Sequence, residues 1–314
     1  MVDLSTTVAG LRLATPLMLA SGTVGYGPEY DGLIDFAQVG AIITKTVTPK
    51  PRAGNAPPRL AETRGGMLNS IGLENVGLDL FLSDKLAEAG RLPTLVIASV
   101  AGETPAEFAE LCEAIGERKE TAGLELNVSC PNVKRARRPL WADPDGVAAV
   151  VEAARRATDK PLLLKLSPNA ADILSVAEAG ERAGADALVV ANTLPGMRID
   201  IQNRTPLLGN RFGGLSGPAL LPVNLALVWK LSDGVGIPIV GSGGIERAED
   251  ALEYMLAGAS AFQIGTALFR APSVVDQIID DLTRHALTDE IKCLSGYTGA
   301  AKEVEIPCLR TRVD

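Results

Sequence analysis

The sequence predicts an α/β fold, a (β/α)₈ TIM barrel with inserted loops at its C-terminal face. Short apolar runs alternate with longer amphipathic segments, which is the pattern of parallel strands joined by helices. A chain of 314 residues also fits one barrel of about 250 residues with added loops. We therefore expect residues 1–314 to form a single domain.

From the third strand onward, predicted helices alternate with predicted strands along the chain. The barrel strands are predicted at Leu17–Ala20, Ala41–Thr44, Leu95–Ala98, Leu124–Leu126, Leu162–Leu164, Ala187–Ala191, Ile237–Val240 and Ala261–Ile264. Helices are predicted at Pro105–Glu120, Gly146–Ala157, Ala170–Ala183, Ala219–Leu231, Ala248–Ala257 and Val274–Leu287. Two connections, residues 46–93 and 193–217, are too long for simple loops and are rich in Gly, Pro and Asn. They are predicted to shape the mouth of the barrel.

Composition excludes several classes of function. The net charge of -8 argues against a nucleic-acid partner, which requires a basic face. No apolar run approaches the roughly 18 residues of a membrane span, and no signal peptide is visible. Cys112, Cys130, Cys293 and Cys308 lack C-x-x-C spacing, which disfavours a metal or iron–sulfur site and indicates reduced thiols in a cytoplasmic protein. His285 is the only histidine and falls in the last predicted helix, so a Ser-His-Asp hydrolase or a His-rich metal site is disfavoured, since either would need more or better placed imidazole.

Polar or glycine residues follow nearly every predicted strand. Any one of them could serve a turn, but eight groups on one rim predict a binding site. Glycines after strands seven and eight allow backbone N–H groups to approach a phosphate, although paired glycines also occur in plain turns. We therefore expect a cofactor that carries phosphate. The rim residues are Ser21, Lys45, Thr46, Ser99, Asn127, Lys165, Asn192, Thr193, Gly243, Gly244, Gly265 and Thr266.

Two residue types on this rim carry chemistry. Three interpretations of Lys165 stay open: a solvated lysine, a group that stabilises the negative charge on a reduced flavin, and a Schiff-base nucleophile. Cys130 follows strand four between Asn127 and Asn132, so amide groups surround a candidate base or nucleophile. Cys112 falls on an apolar helix face and is predicted to be core.

These segments, in this order, resemble the dihydroorotate dehydrogenase family over residues 17 to about 270. A cysteine at the base position and the loop sequence Asn-Ser-Ile-Gly-Leu are most similar to the catalytic subunit of the NAD-linked, two-subunit branch (class 1B). The quinone-linked branch has serine at that position, whereas the fumarate-linked homodimeric branch shares the cysteine. The matching segments are Ser21–Thr23, Lys45–Pro49, Asn69–Leu73, Asn127–Asn132, Lys165–Pro168, Asn192–Thr193, Gly213–Gly217, Gly243–Gly244 and Gly265–Thr266.

The resemblance implies oxidation of (S)-dihydroorotate to orotate in de novo pyrimidine (UMP) biosynthesis, with one FMN per chain and Cys130 as the catalytic base. It places FMN against Ser21, Lys45, Thr46, Ser99, Asn127, Lys165, Ala191, Gly217, Gly243, Gly244, Gly265 and Thr266. It places the substrate against Lys45, Asn69, Ser70, Ile71, Gly72, Leu73, Asn127, Asn192 and Thr193.

The electron acceptor is predicted to lie outside this chain. The nearest approach to a dinucleotide-binding G-x-G-x-x-G begins at Gly241 but has Glu246 at the third glycine position. The resemblance therefore implies a partner subunit that carries FAD and a 2Fe-2S cluster and passes electrons to NAD, around a homodimer core within a heterotetramer.

Four alternatives stay open at this point: a fumarate-linked homodimer, a dihydropyrimidine dehydrogenase, a Schiff-base aldolase using Lys165, and a phosphate-binding barrel without catalysis. The segment Val133 to Trp141, with its basic part Lys134 to Arg138, stands where the family usually has a glycine-containing loop. This basic part has two interpretations, either a solvated charge run or a positive field that attracts a carboxylate substrate. Cys293 and Cys308 receive no role.

Overall fold

The computed structural model describes residues 2–129 and 139–302 of the chain. In these residues the strands are β1 (Thr6–Val8), β2 (Leu11–Leu13), β3 (Leu17–Leu19), β4 (Ala41–Ile43), β5 (Leu60–Thr63), β6 (Gly66–Asn69), β7 (Leu95–Val100), β8 (Gly123–Asn127), β9 (Leu162–Lys165), β10 (Ala187–Val190), β11 (Leu194–Gly196), β12 (Ile199–Asp200), β13 (Thr205–Pro206), β14 (Gly213–Ser216), β15 (Ile239–Ser242) and β16 (Ala261–Ile264). Eight of them are parallel and close into a barrel with the order β10-β15-β16-β3-β4-β7-β8-β9.

The predicted fold class and all eight predicted barrel strands are confirmed, with shifts at their ends. The seventh barrel strand, β15, begins at Ile239 rather than at Ile237, because Pro238 has no N–H to give to a strand ladder. The third barrel strand, β7, is longer than predicted and continues to Val100. Apart from polar residues such as Glu125, Lys165 and Gln263, the barrel strands are apolar and buried, as expected for a parallel sheet that is covered on both faces.

Helices cover the outside of the barrel. They are α1 (Gly77–Leu80), a π-helical turn (Phe81–Lys85), α2 (Leu86–Ala89), α3 (Pro105–Gly116), α4 (Pro144–Ala157), α5 (Ile173–Arg182), α6 (Leu221–Leu231), α7 (Ala248–Leu256), α8 (Ala267–Arg270) and α9 (Val274–Thr288). The start of α3 illustrates the local signals: Thr104 Oγ1 accepts from the Glu107 amide, and Pro105 occupies the first turn. No helix in the described ranges has both the length and the apolar character needed to cross a bilayer.

Two separate sets of buried apolar side chains hold the layers together. The larger set fills the space between strands and helices, and includes Phe108 and Tyr254. The smaller set fills the inside of the barrel, where residues two apart on a strand share one face. The β1–β2 hairpin was not predicted. It adds Val8 and Leu13 to this interior set.

The two long insertions form one antiparallel sheet, which the sequence analysis did not predict. Its order is β11-β14-β6-β5, so the segment after barrel strand β4 pairs with the segment after barrel strand β10. A β-carbon on Gly66 would lie 1.9 Å from the carbonyl oxygen of Ser216. Only glycine permits this approach of the two insertions at the mouth.

Candidate active site

A chain of hydroxyl groups joins the C-terminal ends of four barrel strands. Ser21 Oγ lies 2.8 Å from the carbonyl oxygen of Thr44, to which it donates, and 3.2 Å from Thr46 Oγ1. Thr46 Oγ1 in turn lies 2.9 Å from Ser99 Oγ and accepts from Asn127 Nδ2 at 3.5 Å. The structure therefore brings four predicted rim residues into one hydrogen-bonded row.

Three polar side chains meet inside the barrel just below this row. Lys165 Nζ donates to Glu125 Oε1 at 3.4 Å and to Gln263 Oε1 at 3.2 Å. Gln263 Nε2 donates to Glu125 Oε2 at 2.9 Å. The three residues are almost completely buried, with 7%, 0% and 1% of their surfaces exposed for Lys165, Glu125 and Gln263. The structure thus gives Lys165 the anionic partner that a buried lysine requires.

The glycine pair after β15 adopts a backbone conformation that other residues rarely adopt. Gly243 and Gly244 adopt φ values of 115° and 82°, which favour glycine. A β-carbon on Gly243 would lie 2.5 Å from Asn224 Nδ2, and one on Gly244 would lie 2.6 Å from the Leu221 amide nitrogen. Within the described residues, no backbone carbonyl accepts from the N–H of either glycine. Both donors therefore remain for a ligand at the start of α6.

Neighbouring side chains hold this glycine pair in place. Asn224 Nδ2 donates to the Ser242 carbonyl oxygen at 2.7 Å, and Tyr254 Oη donates to the Gly243 carbonyl oxygen at 2.8 Å. Burial raises the pKa of the Tyr254 phenol, and Asp250 adds to this effect, so the hydroxyl stays protonated and can donate.

Four further predicted contacts lie around these glycines. Gly217, at φ 98°, precedes the turn Pro218–Leu220 that leads into α6. The Ala191 amide donates to the Ser242 carbonyl oxygen at 3.1 Å. Gly265 and Thr266 follow β16, and a β-carbon on Gly265 would lie 3.5 Å from Ala20 Cβ, an ordinary contact.

The predicted substrate segment 69–73 is held by an asparagine that the sequence analysis did not single out. Asn55 Nδ2 donates to the carbonyl oxygen and Oγ of Ser70, at 3.2 and 3.0 Å. The Asn55 amide donates to the Ile71 carbonyl oxygen at 3.0 Å, and Gly72 packs directly on Asn55. Leu73 adopts φ 54°, a left-handed conformation that costs free energy for a branched side chain.

The insertion sheet brings this segment to the residues after β10. Asn69 is opposite Gly214 in the β6–β14 pairing, and its Nδ2 donates to the Gly214 carbonyl oxygen at 3.3 Å. A β-carbon on Gly214 would lie 2.2 Å from Thr193 Oγ1. Asn192 Oδ1 accepts from the Thr193 amide at 2.7 Å. Asn69, Asn192 and Thr193 therefore lie at one place on the rim.

Lys45 lies between the hydroxyl row and the 69–73 segment. Its Nζ is 3.9 Å from Glu74 Oε2, which also accepts from Arg59 Nη1 at 2.7 Å. About a third of the Lys45 side chain is exposed, in contrast to Lys165. A carboxylate ligand at this position would compete with Glu74 for the ammonium group.

Cys130 and the segment Lys134 to Arg138 lie outside the described residues. Among those described, no cluster of His, Cys, Asp and Glu could hold a metal ion. His285 lies on α9 and pairs with Glu249 at 3.6 Å. Glu125 and Gln263 were missed by the sequence analysis, although a polar residue inside an otherwise apolar predicted strand is a signal that could have found them.

Comparison with known proteins identifies the family. The family model described as dihydroorotate dehydrogenase matches residues 3–286. A protein of Geotalea daltonii named dihydroorotate dehydrogenase B (NAD(+)), catalytic subunit, is 48% identical over 96% of this chain and 98% of its own length. A protein of the same name from Geobacter sulfurreducens is 47% identical over 95% of this chain and 98% of its own length.

A solved structure agrees in fold. The crystal structure of DHODH in complex with ferulenol from Eimeria tenella superposes with a TM-score of 0.78, covers 96% of this chain and 89% of that one, and is 23% identical. The predicted resemblance is thus confirmed, as is its closer similarity to the NAD-linked branch. The chain belongs to the dihydroorotate dehydrogenase family.

Proposed function

We propose that the chain is the FMN-binding catalytic subunit of an NAD-linked dihydroorotate dehydrogenase and oxidises (S)-dihydroorotate to orotate in pyrimidine biosynthesis. The observation that carries the proposal is the rim itself. Glycine N–H donors at a helix start, a buried lysine and a row of hydroxyl and amide groups lie around one barrel mouth.

The donor set fits a flavin mononucleotide. Family membership implies a flavin, and the N–H groups of Gly243 and Gly244, which have no backbone acceptor in the described residues, suit its terminal phosphate at the start of α6. Lys165 and Asn127 would meet the polar edge of the ring system. When bound, FMN accepts a hydride from the substrate.

The remaining residues would bind and orient the substrate. Asn69, Asn192 and Thr193 carry the amide and hydroxyl groups that pair with the ring amides of dihydroorotate. Lys45 would attract its carboxylate in place of Glu74. Cys130, which lies outside the described residues, would remove the C5 proton as the base.

The proposal includes a partner and a location. The relatives are named catalytic subunits, and we propose that a partner subunit with FAD and a 2Fe-2S cluster relays electrons to NAD around a homodimer core. A cytoplasmic location is favoured by the unpaired Cys112 and Cys293.

The structure argues against the aldolase alternative. A Schiff base requires a neutral amine that is free to attack a carbonyl group. The Lys165 ammonium group instead donates to Glu125 and Gln263 inside the barrel.

The test is a comparison of substrates and acceptors with the purified chain. We expect a yellow protein that oxidises dihydroorotate with an artificial dye, leaves dihydrouracil unoxidised, and reduces NAD only when an electron-transfer subunit is added. A colourless chain would contradict the flavin. Direct use of fumarate would assign the chain to the homodimeric branch, and direct reduction of NAD would remove the need for a partner.

A further inference from the structure

We propose that Glu125 and Gln263 are positioning residues for Lys165: they fix its ammonium group inside the barrel mouth and set how much positive charge a bound flavin would experience. The inference rests on the proposed function, since it concerns the same site. It concerns two residues that have no part in the proposed binding of FMN or substrate.

The position of the three side chains follows from the period of two along each strand. Leu163 and Ala261 belong to the apolar set inside the barrel, and Lys165 and Gln263 come two residues later on the same strands. Asn127 and Gly265, two residues beyond Glu125 and Gln263, belong to the rim. Glu125, Lys165 and Gln263 therefore form a polar layer at the bottom of the barrel mouth, which we call the floor, above the apolar set inside the barrel.

The hydrogen bonds of the cluster form a closed ring with one consistent assignment. The Gln263 carbonyl oxygen faces the ammonium group and its amide nitrogen faces the carboxylate. The reverse orientation would oppose donor to donor and acceptor to acceptor. Two donors of the Lys165 ammonium group are engaged by these bonds in the described residues. The third remains for a group above the floor.

The charges of the cluster sum to zero, because one carboxylate balances one ammonium group. Glu125 is fully buried and only 8% of the Lys165 side chain is exposed, so water screens these charges weakly. A reduced flavin carries negative charge on its pyrimidine ring. The affinity of the floor for that charge thus depends on the balance between Lys165 and Glu125 rather than on Lys165 alone.

Three nearly isosteric variants change this balance in steps. Glu125→Gln raises the charge of the cluster by one unit, Gln263→Glu lowers it by one unit, and the double variant Glu125→Gln/Gln263→Glu exchanges the two groups at constant charge. The control is Glu152→Gln, on the exposed face of α4. The readout is the midpoint potential of bound FMN, measured without substrate.

We expect the ratio of affinities for reduced and oxidised FMN to rise on the order of tenfold in Glu125→Gln and to fall similarly in Gln263→Glu. It should return toward the wild-type value in the double variant, and Glu152→Gln should not change it. In the flavin-free proteins, the unfolding temperature should fall in both single variants and recover in the double variant, because each single variant leaves a buried group badly paired.

Potentials that move in the same direction in both single variants, or that stay at the wild-type value, would overturn the inference while leaving the proposed function intact. If the single variants lose FMN, retention by the double variant supports the inference and loss from it overturns it. A wild-type chain without flavin would contradict the proposed function itself.

Discussion

A β-carbon on Gly244 would lie 2.6 Å from the amide nitrogen of Leu221, the first residue of α6. The loop after β15 and the start of α6 therefore pack closely against each other. This contact places the glycine pair beside the N-terminal end of α6, whose dipole favours an anion.

Replacing Gly244 by alanine should therefore weaken flavin binding. The added methyl group must displace Leu221, and φ 82° is strained for alanine. We expect the dissociation constant of FMN, measured by titration of flavin-free protein, to rise at least about tenfold, equal to about 1.4 kcal/mol. Gly32→Ala is the matched control, since Gly32 has φ 74° with no atom within 4 Å of the added carbon. Equal losses in both variants would assign the effect to strain alone.

A methyl group on Gly214 should damage substrate binding instead. It would lie 2.2 Å from Thr193 Oγ1 and 2.9 Å from Thr193 Cβ, so this predicted substrate contact must move. We expect Gly214→Ala to raise the KM for dihydroorotate by about tenfold or more without loss of flavin absorbance. Gly296→Ala, where the new carbon meets Ile291 at an ordinary 3.4 Å, should leave KM unchanged. A normal KM in Gly214→Ala would contradict the placement of the substrate.

Cys130→Ala should retain flavin and lose turnover by about 10²–10⁴-fold, the usual contribution of a positioned base. Wild-type turnover should rise with pH as a thiol with a reference pKa of about 8.5 ionises. Burial raises the pKa of Cys112 to about 12, so Cys112 stays protonated and cannot produce this rise. Cys293→Ser is the control and should keep the wild-type rate and pH profile. A Cys130→Ala rate within threefold of wild type would remove the cysteine from the mechanism.

Arg155 should stabilise the opposite end of the barrel. Its guanidinium group donates to Asp186 at 2.9 Å and to the carbonyl oxygens of Lys160, at 2.8 Å, and Thr158. Asp186 also accepts from the Leu162 amide. Arg155→Met should lower the free energy of unfolding by about 1–3 kcal/mol in urea, with turnover per bound flavin unchanged.

The neighbouring Arg156→Met is its control, since Arg156 makes an exposed pair with Glu152 on the same helix and such pairs contribute little. An equal loss in the two variants would show that the Arg155 contacts add nothing beyond those of a surface pair.

The barrel could be predicted because each strand is a local signal. Runs such as Leu162–Leu164 are apolar on both faces and are followed at once by polar or glycine residues. The insertion sheet could not be predicted in this way. Its strands include the glycine-rich Gly213–Ser216 and the half-exposed Leu60–Thr63, and their pairing depends on partners far away in sequence.

The candidate site could likewise be predicted only where the signal is local. Ser21, Thr46 and Asn127 were expected together because each follows a strand, and the hydroxyl row joins them. Glu125 and Gln263 lie two residues before the rim residues Asn127 and Gly265, where a polar side chain is stable only through partners on other strands. Residues of this kind lie before the strand ends, so the pattern that predicts the rim does not include them.

The pairing of Asn69 with Gly214 joins residues 145 positions apart in the chain. Closing so long a loop is entropically costly and slow compared with the strand-by-strand growth of a barrel. During synthesis, the predicted substrate site around Asn69 can therefore form only after most of the chain has been made. In refolding experiments, helical signal should return before the ability to bind dihydroorotate does.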